Sequence, residues 1–234
     1  MNRRIWRERY LKHGFPAFPC PRCRTGALRV IKDTLMTAYD PVRDDDHYSQ
    51  QGRFSVLFRC STKWCGEVVS MAGDVLPGWD YDQNGEQVDL ENFYPKAFVA
   101  EVPVISIPTK TPDEVRKPIL SSFTLMWADR GSAINKLRIS VERTLDHFGI
   151  DRKDASGRWR SLNSRLQEFE KSIGNHHETL DALRSIGNKA SHEGAIPFDT
   201  VLDAYEVLEE ALLDLFGGRK ARLDSILAKL KAQA

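Results

Sequence analysis

Apolar residues change their spacing near residue 111. Upstream they favour strand-like alternation: Phe54, Val56 and Phe58 are separated by Ser55 and Leu57, which predicts a strand over 53–59. Residues 27–38 are likewise rich in β-branched and aromatic side chains, and 67–71 make a third short candidate. Residues 40–52 hold Pro41, Asp44, Asp45, Asp46 and Gly52, and read as the polar loop at the far end of a hairpin. Gly73, Pro77, Gly78, Gly85, Pro95, Pro103 and Pro108 punctuate residues 73–111, so this segment is expected to be irregular, strand-containing packing or a linker.

Downstream the period becomes helical. Thr111-Pro112-Asp113-Glu114 supplies an N-cap Thr, a proline at the first helical position and a Glu three residues after the cap. Val115, Ile119, Phe123, Met126 and Trp127 then recur every three or four positions, followed by Ile134, Leu137, Val141, Leu145 and Phe148 on a second helix that Gly149 closes. Leu162, Leu166, Phe169 and Ile173 predict a third helix, and Leu180, Leu183 and Ile186 a fourth. Leu202, Tyr205, Leu208, Leu212 and Leu215 predict a fifth, ended by Gly217-Gly218; Leu223, Ile226, Leu227 and Leu230 predict a sixth. Amphipathic helices with short connections bury their stripes against one another, so residues 112–234 are expected to form an all-α bundle.

Composition adds that the chain folds. Of 234 residues, 41% are hydrophobic, too many for a disordered chain. Lys plus Arg is 34 and Asp plus Glu 33, so no global field draws the protein to nucleic acid or membrane. The balance is uneven along the chain: residues 1–32 carry nine Lys/Arg against Glu8, whereas residues 33–101 carry five against thirteen acids. The Arg-rich start, Arg3, Arg4, Arg7 and Arg9, has the charge of a mitochondrial presequence but runs straight into a cysteine motif. No run approaches the ~18 apolar residues of a spanning helix, and no apolar signal segment opens the chain. The expectation is a soluble, cytoplasmic protein without membrane contact.

The four cysteines form two pairs, Cys20-x-x-Cys23 and Cys60-x-x-x-x-Cys65. Two such turns can close a tetrahedral thiolate shell around Zn²⁺, whereas disulfides need an oxidising compartment. A closed four-sulfur shell fits a structural ion, since a catalytic one keeps an open position. The expectation is a small β zinc ribbon over about residues 15–100. Arg22 and Arg24 flank its first turn, and Lys63 and Trp64 lie within the second. Such a basic, aromatic surface suits nucleic acid, and such ribbons equally serve as protein-interaction or stability modules. His47 beside the acidic run and His176-His177 are expected to be solvated.

The segment Arg184-Ser-Ile-Gly187-Asn188-Lys189-Ala-Ser191-His192 carries the remaining candidate chemistry. On a helix, Asn188 and His192 share a face, and Arg184 lies one turn further back. An imidazole can move protons at neutral pH, a guanidinium can grip a phosphate and an amide can orient either. Those groups suit metal-independent RNA cleavage through a 2′-hydroxyl.

Residues 112–234 also resemble the HEPN superfamily, in particular its prokaryotic domain-of-unknown-function family 4145. The residues that carry the likeness are Arg138-x-x-x-Glu142, the Leu183–His192 segment and the acidic amphipathic stretch 199–216. The resemblance implies a helical bundle that dimerises, an R-x-x-x-x-H ribonuclease motif and a setting in phage or mobile-element defence. It maps the catalytic His onto His192 and the polar residue onto Asn188, and places Gly187 where the motif has Arg. Arg184 or Lys189 would then hold the phosphate, with Arg138 beside the site. Arg138 and Glu142 equally suit a surface ion pair, Gly187 a close helix approach, and His192 a helix C-terminus.

Two functions remain open: an RNA-directed protein acting as a metal-independent endoribonuclease, and a non-catalytic adaptor that dimerises through its bundle and docks a protein through its ribbon. Phosphate-loop, dinucleotide-binding, nucleophile-elbow and zinc-protease motifs are missing from the sequence.

Overall fold

The computed structural model describes residues 1–12, 14–40, 50–173, 176–193 and 196–231; the acidic loop with His47 lies outside the described residues. The chain divides into two compact units, one of residues 2–104 with 123–129, the other of Met1, 105–122 and 130–234. The order of β first and α second is as expected. The β part is larger than the small ribbon that the cysteine spacing suggested.

Among the described residues its seven strands are β1 (Tyr10–Leu11), β2 (Phe18–Pro19), β3 (Ala27–Val30), β4 (Met36–Tyr39), β5 (Gly52–Cys60), β6 (Val68–Tyr81) and β7 (Gln87–Val99). They pair antiparallel in the order β1-β7-β6-β5-β3-β2, with β4 also on β5. Strand β5 alternates strictly, burying Phe54, Val56, Phe58 and Cys60 while Ser55 and Leu57 face out, as its pattern predicts. The sheet curls so that its two edges meet: Phe18 of β2 lies 5.9 Å from Tyr10 of β1 and 5.1 Å from Phe98 of β7. Trp6 joins this aromatic core, 5.5 Å from Phe18 and 5.8 Å from Trp127, whose indole N–H donates to the Arg7 carbonyl at 3.0 Å. The arginine-rich N-terminal stretch is therefore anchored in the sheet by its aromatic residues.

Residues 73–99 correct the expectation of irregular packing, because they form most of a long β6–β7 hairpin. The residues that looked like breakers occupy positions where a strand tolerates them. Gly73 and Pro95 sit at a bulge, and a Cβ on Gly73 would lie 2.1 Å from the Tyr94 carbonyl oxygen. Pro77 lies beyond Val75, the last β6 residue paired with β5, so its missing N–H costs no bond on that side. Gly85 makes the turn with a φ of 80°.

Among the described residues, the helices are α1 (Asp113–Leu125), α2 (Arg130–His147), α3 (Leu162–Ser172), α4 (His177–Glu193), α5 (Phe198–Phe216) and α6 (Arg219–Lys231). Gly149 follows α2 with a φ of 74°, as its position predicts, and the Ser161 hydroxyl caps α3 by accepting from Ser164 N–H at 3.1 Å. The expected stripes of α2 and α5 are buried, with Phe148 and Leu215 at the margin. Two of the buried polar side chains are paired: Tyr205 donates to Ser122 Oγ at 2.9 Å, and Glu209 accepts from Ser106 N–H at 2.7 Å and from the Met1 ammonium, whereas the Thr111 hydroxyl, expected as the N-cap of α1, is buried without a hydrogen-bond partner. Burial holds the Tyr205 hydroxyl above the ordinary tyrosine range.

Helix α6 departs from expectation. It forms where predicted, but Leu223, Ile226, Leu227 and Leu230 remain exposed. No helix among the described residues is long and apolar enough to cross a membrane.

Candidate metal centre and helical site

The register of the sheet brings the two cysteine turns together. Residues 20–26 join β2 to β3, residues 61–67 join β5 to β6, and Leu28 of β3 pairs with Cys60 of β5, so both turns lie at one end of the sheet. Each turn is closed by backbone bonds: Cys20 N–H to the Gly26 carbonyl and Arg24 N–H to the Cys20 carbonyl in the first, Cys65 and Gly66 N–H to the Thr62 carbonyl in the second. The residue after the second cysteine of each turn is left-handed, Arg24 at φ 58° and Gly66 at φ 59°. The wider second spacing is accommodated by the tight turn that Thr62 closes.

All four sulfurs lie within 4.8 Å of one another, with Cys20 to Cys65 and Cys23 to Cys60 each at 3.7 Å. Disulfide sulfurs would be about 2.05 Å apart. Thiolates at about 2.3 Å around a tetrahedral ion stand about 3.8 Å apart, so the cluster is compatible with a metal ion. Gly26 completes the fit, because a Cβ there would lie 2.4 Å from Cys60 Sγ. Its N–H also donates to Cys23 Sγ at 3.2 Å, and Thr62 N–H donates to Cys60 Sγ at 3.4 Å, the bonds that thiolates accept.

The thiols sit in unequal surroundings. Burial pushes Cys20 up to about 12 and raises Cys65. Burial acts the same way on Cys23, but hydrogen bonds from Thr25, Gly26 and Cys60 outweigh it and bring that thiol down to about 5.

Of the basic residues nominated around these turns, Arg22 is held by Glu67 at 2.5 Å. Arg24, Lys63 and Trp64 are exposed, Trp64 at 76%.

In the helical unit, α4 includes the whole Arg184–His192 segment. Asn188 and Lys189 are exposed along it, and the backbone of His192 lies in its last turn. The His192 side chain is outside the described residues, as are those of Ser191 and Glu193. Arg184 donates through Nε to Asp181 Oδ1 at 2.6 Å, on the preceding turn, and through Nη2 to Ser185 Oγ at 3.1 Å. The Asp181 bond holds that carboxyl below the usual carboxylate range.

Gly187 lies against α2, where a Cβ would meet the Arg138 stem: 2.7 Å from Cβ and 2.8 Å from Cδ. Arg138 in turn reaches Glu142 at 2.6 Å and Asn135 at 3.1 Å. The missing side chain thus admits a close approach of α2 and α4, and the half-buried Arg138 and Arg184 each carry a carboxylate partner. His177 lies 3.9 Å from Glu170 and is half-buried rather than solvated.

Motif reading passed over a further basic, aromatic element, residues 151–160, because it contains no spaced motif. Its signal was Arg152-Lys153 and Arg158-Trp159-Arg160 around Gly157.

The features together define a curled antiparallel sheet with a four-cysteine corner, followed by a helical region. The model of a family described as a domain of unknown function (DUF4145) matches residues 121–233, in keeping with the likeness to that family carried by residues 138–142, 183–192 and 199–216. The model of a second family, also a domain of unknown function (DUF8608), matches residues 8–99. No curated protein and no solved structure matches the chain.

Proposed function

We propose that the protein is RNA-directed, with a HEPN-like helical half that meets RNA on α4 and a β half stapled by a structural Zn²⁺. The observation that carries this reading is the placement of Asn188 and Lys189 in solvent on the helix that also bears Arg184 and His192. Lys189 offers a point charge to a phosphate, and Asn188 offers a donor and an acceptor. In the catalytic form of the proposal, His192 takes the proton of a 2′-hydroxyl as that oxygen attacks the adjacent phosphorus. The bond to the 5′-oxygen breaks, that oxygen takes a proton from water as it leaves, and a 2′,3′-cyclic phosphate remains. Four sulfurs fill the proposed zinc shell, so the ion is assigned no part in this step. Cys20, Cys23, Cys60 and Cys65 hold it, while Arg24, Lys63 and Trp64 offer an RNA-guiding surface. A homodimer through the bundle would bring two α4 segments into one site.

A second reading is favoured by Gly187. The position where the ribonuclease motif has Arg is filled by the Arg138 stem, which suits a non-catalytic adaptor that dimerises and binds a protein partner. Incubation of single-stranded RNA with the purified, zinc-loaded chain in buffer without added divalent cations separates the two. The catalytic form predicts cleavage that His192→Ala abolishes without lowering the melting temperature. The adaptor predicts intact RNA with both proteins.

A further inference from the structure

The connection between α2 and α3 forms a rigid hairpin over residues 151–160. Lys153 and Trp159 pair as an isolated antiparallel bridge, Asp154 N–H donates to the Arg158 carbonyl at 2.9 Å and Arg160 N–H to the Arg152 carbonyl at 2.8 Å. The turn supports itself: Asp154 Oδ1 accepts from Ser156 N–H at 2.9 Å and Arg158 N–H at 3.0 Å, while Gly157 takes a φ of 81°. Its base is bolted to the bundle through Asp146 of α2, which holds both Arg152 and the buried Arg165 of α3.

This framework holds Trp159 out in solvent, 72% exposed, with the Lys153 ammonium 5.0 Å from the ring centroid. A large apolar ring fixed outward by a preorganised turn loses little conformational freedom when something covers it. The local charge indicates what that is. Residues 151–160 carry four Lys/Arg against two Asp; Arg152 is held by Asp146 and Arg160 by Glu168 at 2.5 Å, so Lys153 and Arg158 are the exposed cations beside the ring. Arg158 pairs with Asp154 of its own turn, at 3.2 Å, and its side chain is 82% exposed. An exposed pair of this kind gives up its guanidinium to a phosphate at small cost.

We propose that the 151–160 hairpin is a base-stacking platform for single-stranded nucleic acid, with Trp159 stacked on a base and Lys153 and Arg158 on the flanking phosphates. The choice of RNA over DNA as its strand rests on the reading above; the stacking itself does not depend on α4.

The test is fluorescence anisotropy of the full, zinc-loaded chain with labelled single-stranded RNA of about 15 nucleotides and with DNA of the same sequence. Trp159→Ala is expected to weaken RNA binding roughly 5- to 150-fold, and Trp159→Phe less, with melting temperatures unchanged. Lys153→Ala with Arg158→Ala should lower the slope of log affinity against log salt by about 0.7 for each phosphate no longer neutralised. RNA binding untouched by Trp159→Ala overturns the platform and leaves the RNA reading standing. Binding of DNA alone, abolished in Trp159→Ala, supports the platform and overturns the RNA reading. Binding of neither strand overturns both.

Discussion

Gly26→Ala perturbs the metal centre without touching a ligand. A Cβ at this position would lie 2.4 Å from both Cys60 Sγ and Thr62 Oγ1, and 3.2 Å from Cys23 Sγ. Heavy atoms in ordinary contact stand about 3.5–4.0 Å apart, so the first two distances overlap by more than about 1 Å. The Thr62 hydroxyl can rotate away. Cys60 cannot follow easily, because it ends β5 in register with Leu28 and its sulfur belongs to the cluster. Overpacking of this kind costs about 1–3 kcal/mol, equivalent to roughly 5- to 150-fold in metal affinity if the strain falls on the bound state. Zinc competition against a chromophoric chelator measures that affinity, and a thermal melt with and without added zinc measures the linked stability. We expect weaker zinc binding and a lowered melting temperature that excess zinc partly restores. Wild-type affinity in Gly26→Ala would refute the close approach of the Gly26 backbone to the sulfurs.

Metal analysis should find a single zinc per chain, and Cys60→Ser should lose it together with folding of the sheet, read by circular dichroism. Arg165→Ala strands the Ile150 carbonyl and takes from Asp146 one of three guanidiniums, Arg143 and Arg152 remaining, and should cost about 1–3 kcal/mol, read as a lower urea midpoint at constant slope. Asp181 is held below its ordinary value by Arg184, so the pair stabilises the fold above the unfolded carboxyl value of about 3.9. That contribution disappears as pH falls through the depressed folded value. Arg184→Ala should move the Asp181 titration upward in carbon-detected NMR, and an unmoved titration would exclude the pair as its cause.

Much of the helical half was legible because its stripes repeat at helical spacing over long stretches and Gly149 follows α2 in the left-handed conformation, whereas the Thr111 hydroxyl, expected to cap the first helix, is buried without a hydrogen-bond partner. The cysteine corner was legible for a different reason: few arrangements of two short Cys pairs serve anything but a shared ion. The sheet was harder. Gly73, Pro77 and Pro95 argue against a strand when read one at a time, yet each falls at a bulge or beyond a paired edge, and only register reveals this. Similarly, the α6 leucines have the spacing of a buried face, but burial depends on a neighbour that spacing does not specify. Gly187 was readable as a helix contact, whereas its partner Arg138, 49 positions away, required the packing of α2 on α4.

The same packing bears on the ribonuclease motif. Reintroducing Arg by Gly187→Arg would drive a long side chain into the Arg138 stem, so it should destabilise the bundle unless α2 moves. The central claim is that RNA meets the chain along α4. Ultraviolet crosslinking of the zinc-loaded full chain to single-stranded RNA, with the adducts mapped by mass spectrometry, tests it most directly. The account predicts adducts on the peptide spanning residues 185–193. Efficient crosslinking that leaves this peptide unmodified, or no crosslinking at all, would contradict it.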